Sequence, residues 1–446
     1  MAEQMKPSGI DWIGNIPLNW NAKKVKYVIS DIKDGTHGTF DRVESGELLL
    51  SAKNVFDDGI QIGENESEIS ISDYKSIISN GFPKRNDVLL CCVGTIGRCC
   101  VYEYDQSIAF QRSVAFLRPL QQTNARYLKY ALQSDSTLVQ EQLLINKSAQ
   151  DGLYMGSVRE LIIPYPNSKS EQQSIADFLD KECAQIDSIA ADLEKQIALL
   201  QQYKKSLITE TVTKGLDKSV PMKDSGVEWL GKIPAHWNFK RLKFMLENSS
   251  DSMKVGPFGS ALSGSDFTDE GKWVYNQRVV LDNNFSENTT FVSEEKFQEM
   301  RSFAVYPGDI LITTRGTIGK VAIVPEGANE GILHPCIIKF RVDKEMIIPE
   351  LLQLIFNESD FVKDQFALMS NATTIEVIYS YSLKDILLPV IPADEQEKIY
   401  AYLSKKCMAI DGIIAEKQKA FTTITQHKKS LIYEYVTGKK RVKEVQ

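Results

Sequence analysis

The sequence predicts a mixed α/β protein of the α+β kind, with two tandem globular parts that are each followed by a long helix. Three observations predict it: an internal repeat, short apolar runs between turn residues, and two long stretches of helical periodicity. The chain has 446 residues, more than one hydrophobic core normally serves. The predicted segments are a first globular part, its helix, a second globular part, and a second helix with a C-terminal tail, at 1–168, 169–215, 216–392 and 393–446.

The internal repeat opens near the N-terminus. SGIDWIGNIPLNW, from Ser8, matches SGVEWLGKIPAHW, from Ser225, and ten of the twenty positions that start there are identical. A second match, with 20 of 45 positions identical, starts at Glu171 and Glu395. Between these ends the copies diverge, apart from short shared stretches that include a GTIG turn. The chain is therefore a tandem duplication with matched ends and variable middles.

The two matched tails have the spacing of long helices. In the first tail, apolar residues recur three, four and seven apart, and no Pro or Gly interrupts residues 171–214. In the second, Pro392 and Asp394 supply start signals. A helix of about 40 residues is about 60 Å long, a length that is typical of a coiled coil.

The charges of the two tails predict that they pair with each other. Residues 171–215 carry a net charge of −3, and residues 395–439 carry +3. Opposite signs on two copies of one helix favour mutual pairing over self-pairing. The globular part between them lets the second helix return antiparallel to the first. We therefore predict an antiparallel coiled coil and an internal pseudo-two-fold relation between the copies.

The globular parts contain short apolar runs bounded by Gly, Pro, Asn or Asp, which predicts strands. Residues 127–132 and 351–356 are predicted to form helices between strands. The predicted strands are 48–50, 88–90, 114–117 and 161–163 in the first copy, and 273–275, 310–312, 337–340 and 386–388 in the second.

Composition restricts the function class only partly. The net charge of −7 argues against an extended nucleic-acid surface, although a local basic strip can coexist with acidic faces that meet protein partners. Seven cysteines, an odd number, suit a reducing cytoplasm better than a disulfide framework. We expect a cytoplasmic protein, because the N-terminus does not resemble a signal peptide and no apolar run approaches a membrane span.

Motifs of catalytic chemistry are missing from the sequence. Gly319-Lys320-Val321 comes nearest to a phosphate loop but lacks the Ser or Thr, and the four histidines have no HExxH spacing. Cys91-Cys92 and Cys99-Cys100 flank a tight turn and suggest a zinc site. The second copy has Thr, Thr, Val and Ala at these positions, which favours a hairpin with small side chains.

The GTIG turns are each followed by a basic residue, Arg98 or Lys320. Their backbone N–H groups and these cations could contact a phosphate or a base, or the turns could simply need glycine. The same alternatives apply to the loops that start at Gly35 and Gly256. Arg315 stands in the second turn where the first copy has Val93, a difference that suits two units with different targets.

Other repeated residues also allow two interpretations. Lys53 and Arg278 occupy matching positions after a strand. They are interpreted either as DNA contacts or as solvated surface residues. The repeated tryptophans could stack on bases. Because Pro and Gly residues repeat beside them in both copies, a structural plug at the junction with the helix is favoured. The tryptophans concerned are Trp12, Trp20, Trp229 and Trp237.

Taken together, these motifs resemble the specificity subunit of type I restriction–modification systems. The resemblance covers nearly the whole chain and rests on SGxxWxGxIPxxW, the GPFGS loop at 256–260, the DxLxxxxGTIG hairpin and the EQxxIxxxL…KKSLIxExVT helix. It implies that each globular part is a target recognition domain for one half of a bipartite DNA site. It also implies that the helices set the half-site spacing and dock methylase subunits.

The resemblance further implies a non-catalytic subunit with double-stranded DNA, two methylase subunits and restriction/translocase subunits as partners. S-adenosylmethionine, ATP and Mg²⁺ are then expected on those partners, with no cofactor or metal in this chain. A coiled-coil adaptor without DNA readout is the main alternative, and a single-chain enzyme is a third class. The candidate DNA-binding residues are Gly35, Thr36, His37, Lys53, Arg98, Arg112, Ser260, Gln277, Arg278, Arg315 and Lys320.

Overall fold

The computed structural model describes residues 4–145, 152–249, 251–258, 261–370 and 377–442. They form two compact units, within residues 1–194 plus 419–446 and within residues 195–418, which we call unit 1 and unit 2. Each unit thus contains one globular part, one half of the first long helix and one half of the second. The predicted segment boundaries follow the chain, whereas the compact units cut across both long helices.

The predicted long helices are confirmed as α5 and α11, and the shorter helices predicted at 127–132 and 351–356 lie within α2 and α8. Gly215 follows α5 with φ +75°, as expected for a residue that ends a helix. The described helices are α1 (Ile71–Ile78), α2 (Ala125–Gln133), α3 (Asp135–Leu144), α4 (Met155–Glu160), α5 (Lys169–Lys214), α6 (Gln277–Asp282), α7 (Glu294–Glu299), α8 (Pro349–Glu358), α9 (Phe361–Ser370), α10 (Ser380–Lys384) and α11 (Ala393–Val436).

The strands form small sheets, and every predicted strand overlaps an observed one. Before α5 lie β1 (Met5–Pro7), β2 (Asn15–Pro17), β3 (Trp20–Lys24), β4 (Ile29–Asp34), β5 (Glu47–Leu50), β6 (Val55–Phe56), β7 (Gly59–Ile60), β8 (Glu68–Ile69), β9 (Val88–Cys91), β10 (Cys99–Val101), β11 (Ala109–Phe110), β12 (Val114–Pro119) and β13 (Ile162–Pro166). After α5 lie β14 (Met222–Asp224), β15 (Lys232–Pro234), β16 (Asn238–Arg241), β17 (Met253–Val255), β18 (Phe267–Thr268), β19 (Lys272–Tyr275), β20 (Phe291–Val292), β21 (Ala304–Val305), β22 (Ile310–Thr313), β23 (Val321–Ile323), β24 (Gly331–Leu333), β25 (Ile337–Phe340) and β26 (Leu387–Val390).

The two units share one sheet plan. Unit 1 has an antiparallel sheet in the order β10-β9-β12-β4, and unit 2 has the matching order β23-β22-β25-β17. A second sheet in each unit holds one parallel pair, β5 with β11 and β19 with β24. The central strands β9 and β22 are buried along their whole length, which is why their sequences are continuous apolar runs instead of alternating ones.

Antiparallel pairing of the long helices is confirmed inside each unit, because two contacts in each unit run in opposite order along α5 and α11. Phe178 packs on Tyr435 in unit 1, and Lys417 donates to Gln196 in unit 2. In unit 1, Nζ of Lys428 lies 2.7 Å from the carboxylate of Asp187, and in unit 2, Nζ of Lys204 lies 2.8 Å from that of Asp411. Lys204 and Lys428 are equivalent in the repeat, as are Asp187 and Asp411. These pairs therefore come from residues that both copies share, and not from the residues that give the helices opposite net charges. Coiled-coil packing and the pseudo-two-fold relation stay predictions.

The structural interpretation of the tryptophans is confirmed for one tryptophan in each unit. Trp20 and Trp237 are fully buried, and each indole N–H donates a hydrogen bond to a glutamate in the first turn of a long helix, Glu171 or Glu395. A carboxylate at a helix N-terminus also interacts favourably with the helix dipole. Trp229, by contrast, is 42% exposed and packs against Phe361.

Candidate nucleic-acid interface

Gly35 in unit 1 and Gly256 in unit 2 each mark a close approach of two backbone segments. A Cβ on Gly35 would lie 2.2 Å from the carbonyl oxygen of Gln111, and one on Gly256 would lie 2.2 Å from that of His334. Any side chain at these positions would push the segments apart. Both glycines are therefore needed for structure, and the contact of Gly35 with DNA stays a prediction.

The first glycine loop borders a cleft of about 630 Å³ in unit 1. Thr36 pairs with the Gln111 segment through its backbone, and its carbonyl accepts a hydrogen bond from the N–H of Arg112. His37 is exposed, and its Nε2 lies 2.6 Å from Oδ2 of Asp34. Within residues 4–145 and the other described ranges, the exposed Arg112 side chain has no ion pair. His37 and Arg112 thus face one cleft, with one cation free for an anionic ligand.

The two other cations predicted in unit 1 have partners within the protein. Nη1 of Arg98 donates to the carbonyl of Val55 at 3.3 Å, and its guanidinium lies 4.7 Å from the centre of the Phe56 ring. Lys53 pairs with Glu66 at 2.7 Å, and this hydrogen bond lowers the pKa of the Glu66 carboxyl. Arg98 is partly buried, so a DNA contact would have to compete with these internal bonds.

The glycines of the first GTIG turn have a conformational role. Gly94 and Gly97 have φ values of +80° and +86°, and Gly316 and Gly319 of the second turn have +66° and +77°. Side chains rarely adopt these angles, so the turn itself demands glycine in both copies. Phosphate or base contacts by its N–H groups stay a prediction.

In unit 2, three predicted residues lie around the second turn or on the helix beside it. Gln277, the first residue of α6, donates through Nε2 to the carbonyl of Thr317 at 3.3 Å. Arg315 is exposed, and no ion pair of its guanidinium is found in the described part of the chain. Arg278 is exposed and pairs with Asp282 one helical turn later. An exposed pair of this kind contributes little to stability, so Arg278 can exchange it for another anion.

Lys320 follows the second turn but serves the scaffold. Its Nζ donates at 2.6 Å to the carbonyl of Asn357, near the C-terminus of α8. A cation there satisfies a free carbonyl and interacts favourably with the helix dipole. Contact of Lys320 with DNA stays a prediction, and it would compete with this structural hydrogen bond. Ser260 lies outside the described residues.

The four cysteines around the first turn are free and buried in the hairpin core. Burial raises the pKa of Cys91 to about 11 and that of Cys92 and Cys100 to about 12, so these thiols stay protonated at neutral pH. Metal ligation requires the thiolate. In the described ranges, no group of three His, Cys, Asp or Glu side chains is placed to hold a metal ion.

Exposed tyrosines lie beside both turns, and they are not among the residues predicted from the sequence. Tyr154 lines the cleft of unit 1 with His37 and Arg112, and Tyr379 and Tyr381 follow the segment that pairs with Arg315 in unit 2. All three side chains are more than half exposed. A match between LY at 153–154 and IY at 378–379 was a signal in the sequence, but it is short and stands next to unmatched residues.

No helix in the described part of the chain is both long and apolar enough to cross a membrane.

Comparisons with known proteins agree with this architecture. The family model described as type I restriction modification DNA specificity domain matches residues 50–199 and 254–429. The putative type I restriction enzyme MjaX specificity subunit of Methanocaldococcus jannaschii is 24% identical over an alignment of 445 residues that covers 97% of this chain and 96% of that protein. The type I restriction enzyme EcoBI specificity subunit of Escherichia coli is 23% identical over 290 residues, 63% of this chain and 59% of that protein.

A solved structure shows the same fold. A chain from a study of complex assembly and conformational transition of the type I R-M system matches with a TM-score of 0.65 at 12% identity, covering 94% of this chain and 98% of that one. The family model covers well over half of the chain, in two segments that correspond to the two copies of the repeat. The chain therefore belongs to the type I restriction–modification DNA specificity family, and its role is to supply the DNA sequence specificity of such a system.

Proposed function

We propose that the two units read the two halves of a bipartite and asymmetric DNA site, one half each. The observation that carries this proposal is the contrast inside the repeat. The sheet plan, the close-approach glycines and the tryptophan–glutamate contacts recur in both units. The residue exposed in the GTIG turn region does not recur, because Val93 replaces Arg315. A shared scaffold with different exposed residues suits two readers with different base preferences.

The long helices are the proposed docking surface for methylase subunits. Leu199 and Tyr203, one turn apart on α5, are each more than half exposed, and Met408 on α11 is 69% exposed. Large apolar side chains that stay exposed on a regular helix are typical of protein interfaces. Restriction/translocase subunits are further proposed partners. On this proposal the chain is non-catalytic and cytoplasmic, and S-adenosylmethionine, ATP and Mg²⁺ bind the partner subunits.

A methylome tests the proposal. The chain would be co-expressed with an adenine methylase subunit of a type I system, and methyladenine mapped by long-read sequencing. We expect one bipartite motif with a fixed gap, and Arg315→Ala should relax the motif in one half only. Methylation without a bipartite motif would contradict the two-reader proposal. A complex that forms and neither methylates nor binds DNA would support the adaptor without DNA readout.

A further inference from the structure

Unit 2 exposes a stacked pair of tyrosines. The rings of Tyr379 and Tyr381 lie nearly parallel, with an interplanar angle of 8° and centroids 5.4 Å apart. Their side chains are 52% and 65% exposed. Aromatic rings usually bury most of their surface within a fold, and tyrosine is enriched where a surface meets a ligand or partner. A stacked and exposed pair therefore marks a contact surface.

The backbone joins this pair to the second turn. Val377 forms a bridge with Arg315, and the N–H of Ile378 donates to the carbonyl of Thr314 at 2.8 Å. The buried Ile378 side chain would lie within 3.7 Å of a Cβ on Gly319, so it anchors the segment against the turn. Tyr379 is the next residue, and α10 then begins. Arg315 and the tyrosines thus belong to one anchored edge.

Unit 1 repeats the anchor but not all of the side chains. Val93 forms a bridge with Gly152, and the N–H of Leu153 donates to the carbonyl of Cys92 at 2.8 Å. Tyr154 follows and is 57% exposed. The counterpart of Tyr379 is therefore present, whereas Gly156 stands in the place of Tyr381 and Val93 in the place of Arg315.

We propose that this edge contacts duplex DNA with a division of labour between shared and unshared residues. Tyr154 and Tyr379, which recur, contact the sugar–phosphate backbone, where a hydroxyl can donate to a phosphate of any sequence. Tyr381 and Arg315, which do not recur, contact base edges and set the preference of unit 2. Arginine binds the O6 and N7 atoms of guanine through two hydrogen bonds, and an apolar ring face suits a thymine methyl group. This proposal rests on the proposed function.

Binding of labelled duplexes by the purified complex with its methylase tests the division of labour. The duplexes would carry the cognate site or single changed base pairs in either half. Tyr154→Phe and Tyr379→Phe should weaken binding to all duplexes by a similar factor, about five-fold. Tyr381→Gly, which installs the residue of unit 1, should reduce discrimination in the second half-site about ten-fold and leave the first unchanged.

Tyr306→Phe is the matched control, because Tyr306 is 49% exposed but lies before β22, whereas Arg315 follows that strand. It should bind every duplex like the wild type. The tyrosine proposal is overturned if all tyrosine variants behave like this control while Arg315→Ala loses second-half preference. A wild-type complex that prefers no sequence would overturn the proposed function as well.

Discussion

The indole N–H of Trp20 donates to Oε1 of Glu171 at 3.1 Å, across 151 residues of sequence. A Cβ on Gly438, which follows α11, would lie 3.2 Å from the same indole ring. In unit 2, Trp237 has the equivalent partners from the other copy. Its indole N–H donates to Glu395 at 3.0 Å, and a Cβ on Gly215 would lie 3.3 Å from its ring. Each tryptophan therefore contacts the start of one long helix and the end of the other.

Removing this contact should destabilise the unit that contains it. Trp237→Ala deletes a fully buried ring and leaves Glu395 without its donor, so we expect a loss of about 3–5 kcal/mol in the free energy of unfolding. Trp229→Ala, at a partly exposed position in the same unit, should cost much less. Urea unfolding followed by circular dichroism measures both, and equal losses would contradict the plug.

The ion pair between the helices in unit 1 can be tested by exchange. Lys428→Asp places a like charge beside Asp187 and should lower the stability of the unit by about 1 kcal/mol or more. The double variant Lys428→Asp/Asp187→Lys should recover part of this loss. Lys429→Asp, at the exposed neighbouring position, is the control. The single variant Asp187→Lys completes the comparison. If the double variant loses at least as much free energy of unfolding as the two single variants lose together, Lys428 and Asp187 do not interact directly.

The close-approach glycines should affect the half-sites separately. Gly35→Ala forces apart two backbone segments in unit 1 and should abolish readout of the first half-site, whereas Gly256→Ala should do so for the second. Gly264→Ala meets no atom within 4 Å and should be neutral. Half-site binding assays on the methylase complex measure the effects. Loss of both half-sites from one substitution would contradict independent readers.

A buried acid beneath the first turn predicts a pH dependence. Burial raises the pKa of Glu141 from 4.5 to about 8, and its Oε1 has no hydrogen-bond partner among the residues that the structure describes. The pKa of Glu141 is higher in the folded state than in the unfolded state. The contribution of its protonated form to stability is therefore complete below about pH 4. It is lost as the pH rises toward 8, by about 1.4 kcal/mol for each pH unit between the two pKa values. Phe366 occupies the corresponding position of unit 2 and cannot titrate.

Glu141→Gln should remove this dependence. The variant should unfold at a higher urea concentration than the wild type at pH 8.5 and at nearly the same concentration at pH 5. The physical reason is that the neutral amide avoids the cost of burying a carboxylate. An equal difference between the two proteins at both pH values would show that ionisation of Glu141 is not its source.

The docking proposal predicts that helix surface charges block complex formation. Leu199→Lys combined with Tyr203→Lys replaces exposed apolar side chains on α5 and should reduce copurification of the methylase at least ten-fold. Leu216→Lys, at a 40% exposed position just after the helix, is the control. Unchanged copurification would place the docking surface elsewhere.

Patterns that depend on local spacing or on duplication could be predicted from sequence. The apolar periods predicted the long helices, and the repeat predicted the matching sheet plans. The contacts of individual basic side chains could not be predicted, because a Lys or Arg after a turn can extend into solvent or pack back onto the protein. Lys320 caps α8, and Arg98 packs on Phe56. Both contacts join residues that are distant in sequence and carry no periodic signal.

Unit 1 is built from two separate stretches of the chain, which has a consequence for how it folds during synthesis. Its two stretches, within 1–194 and 419–446, are separated in the chain by all of unit 2. On the ribosome, unit 2 is complete once its own contiguous residues have emerged. The contact between Trp20 and Gly438 in unit 1 cannot form until the C-terminal residues have emerged as well. The part of the protein that is made first is therefore the last to finish folding. A released chain that ends near residue 418 should carry a folded unit 2 and an unfinished unit 1.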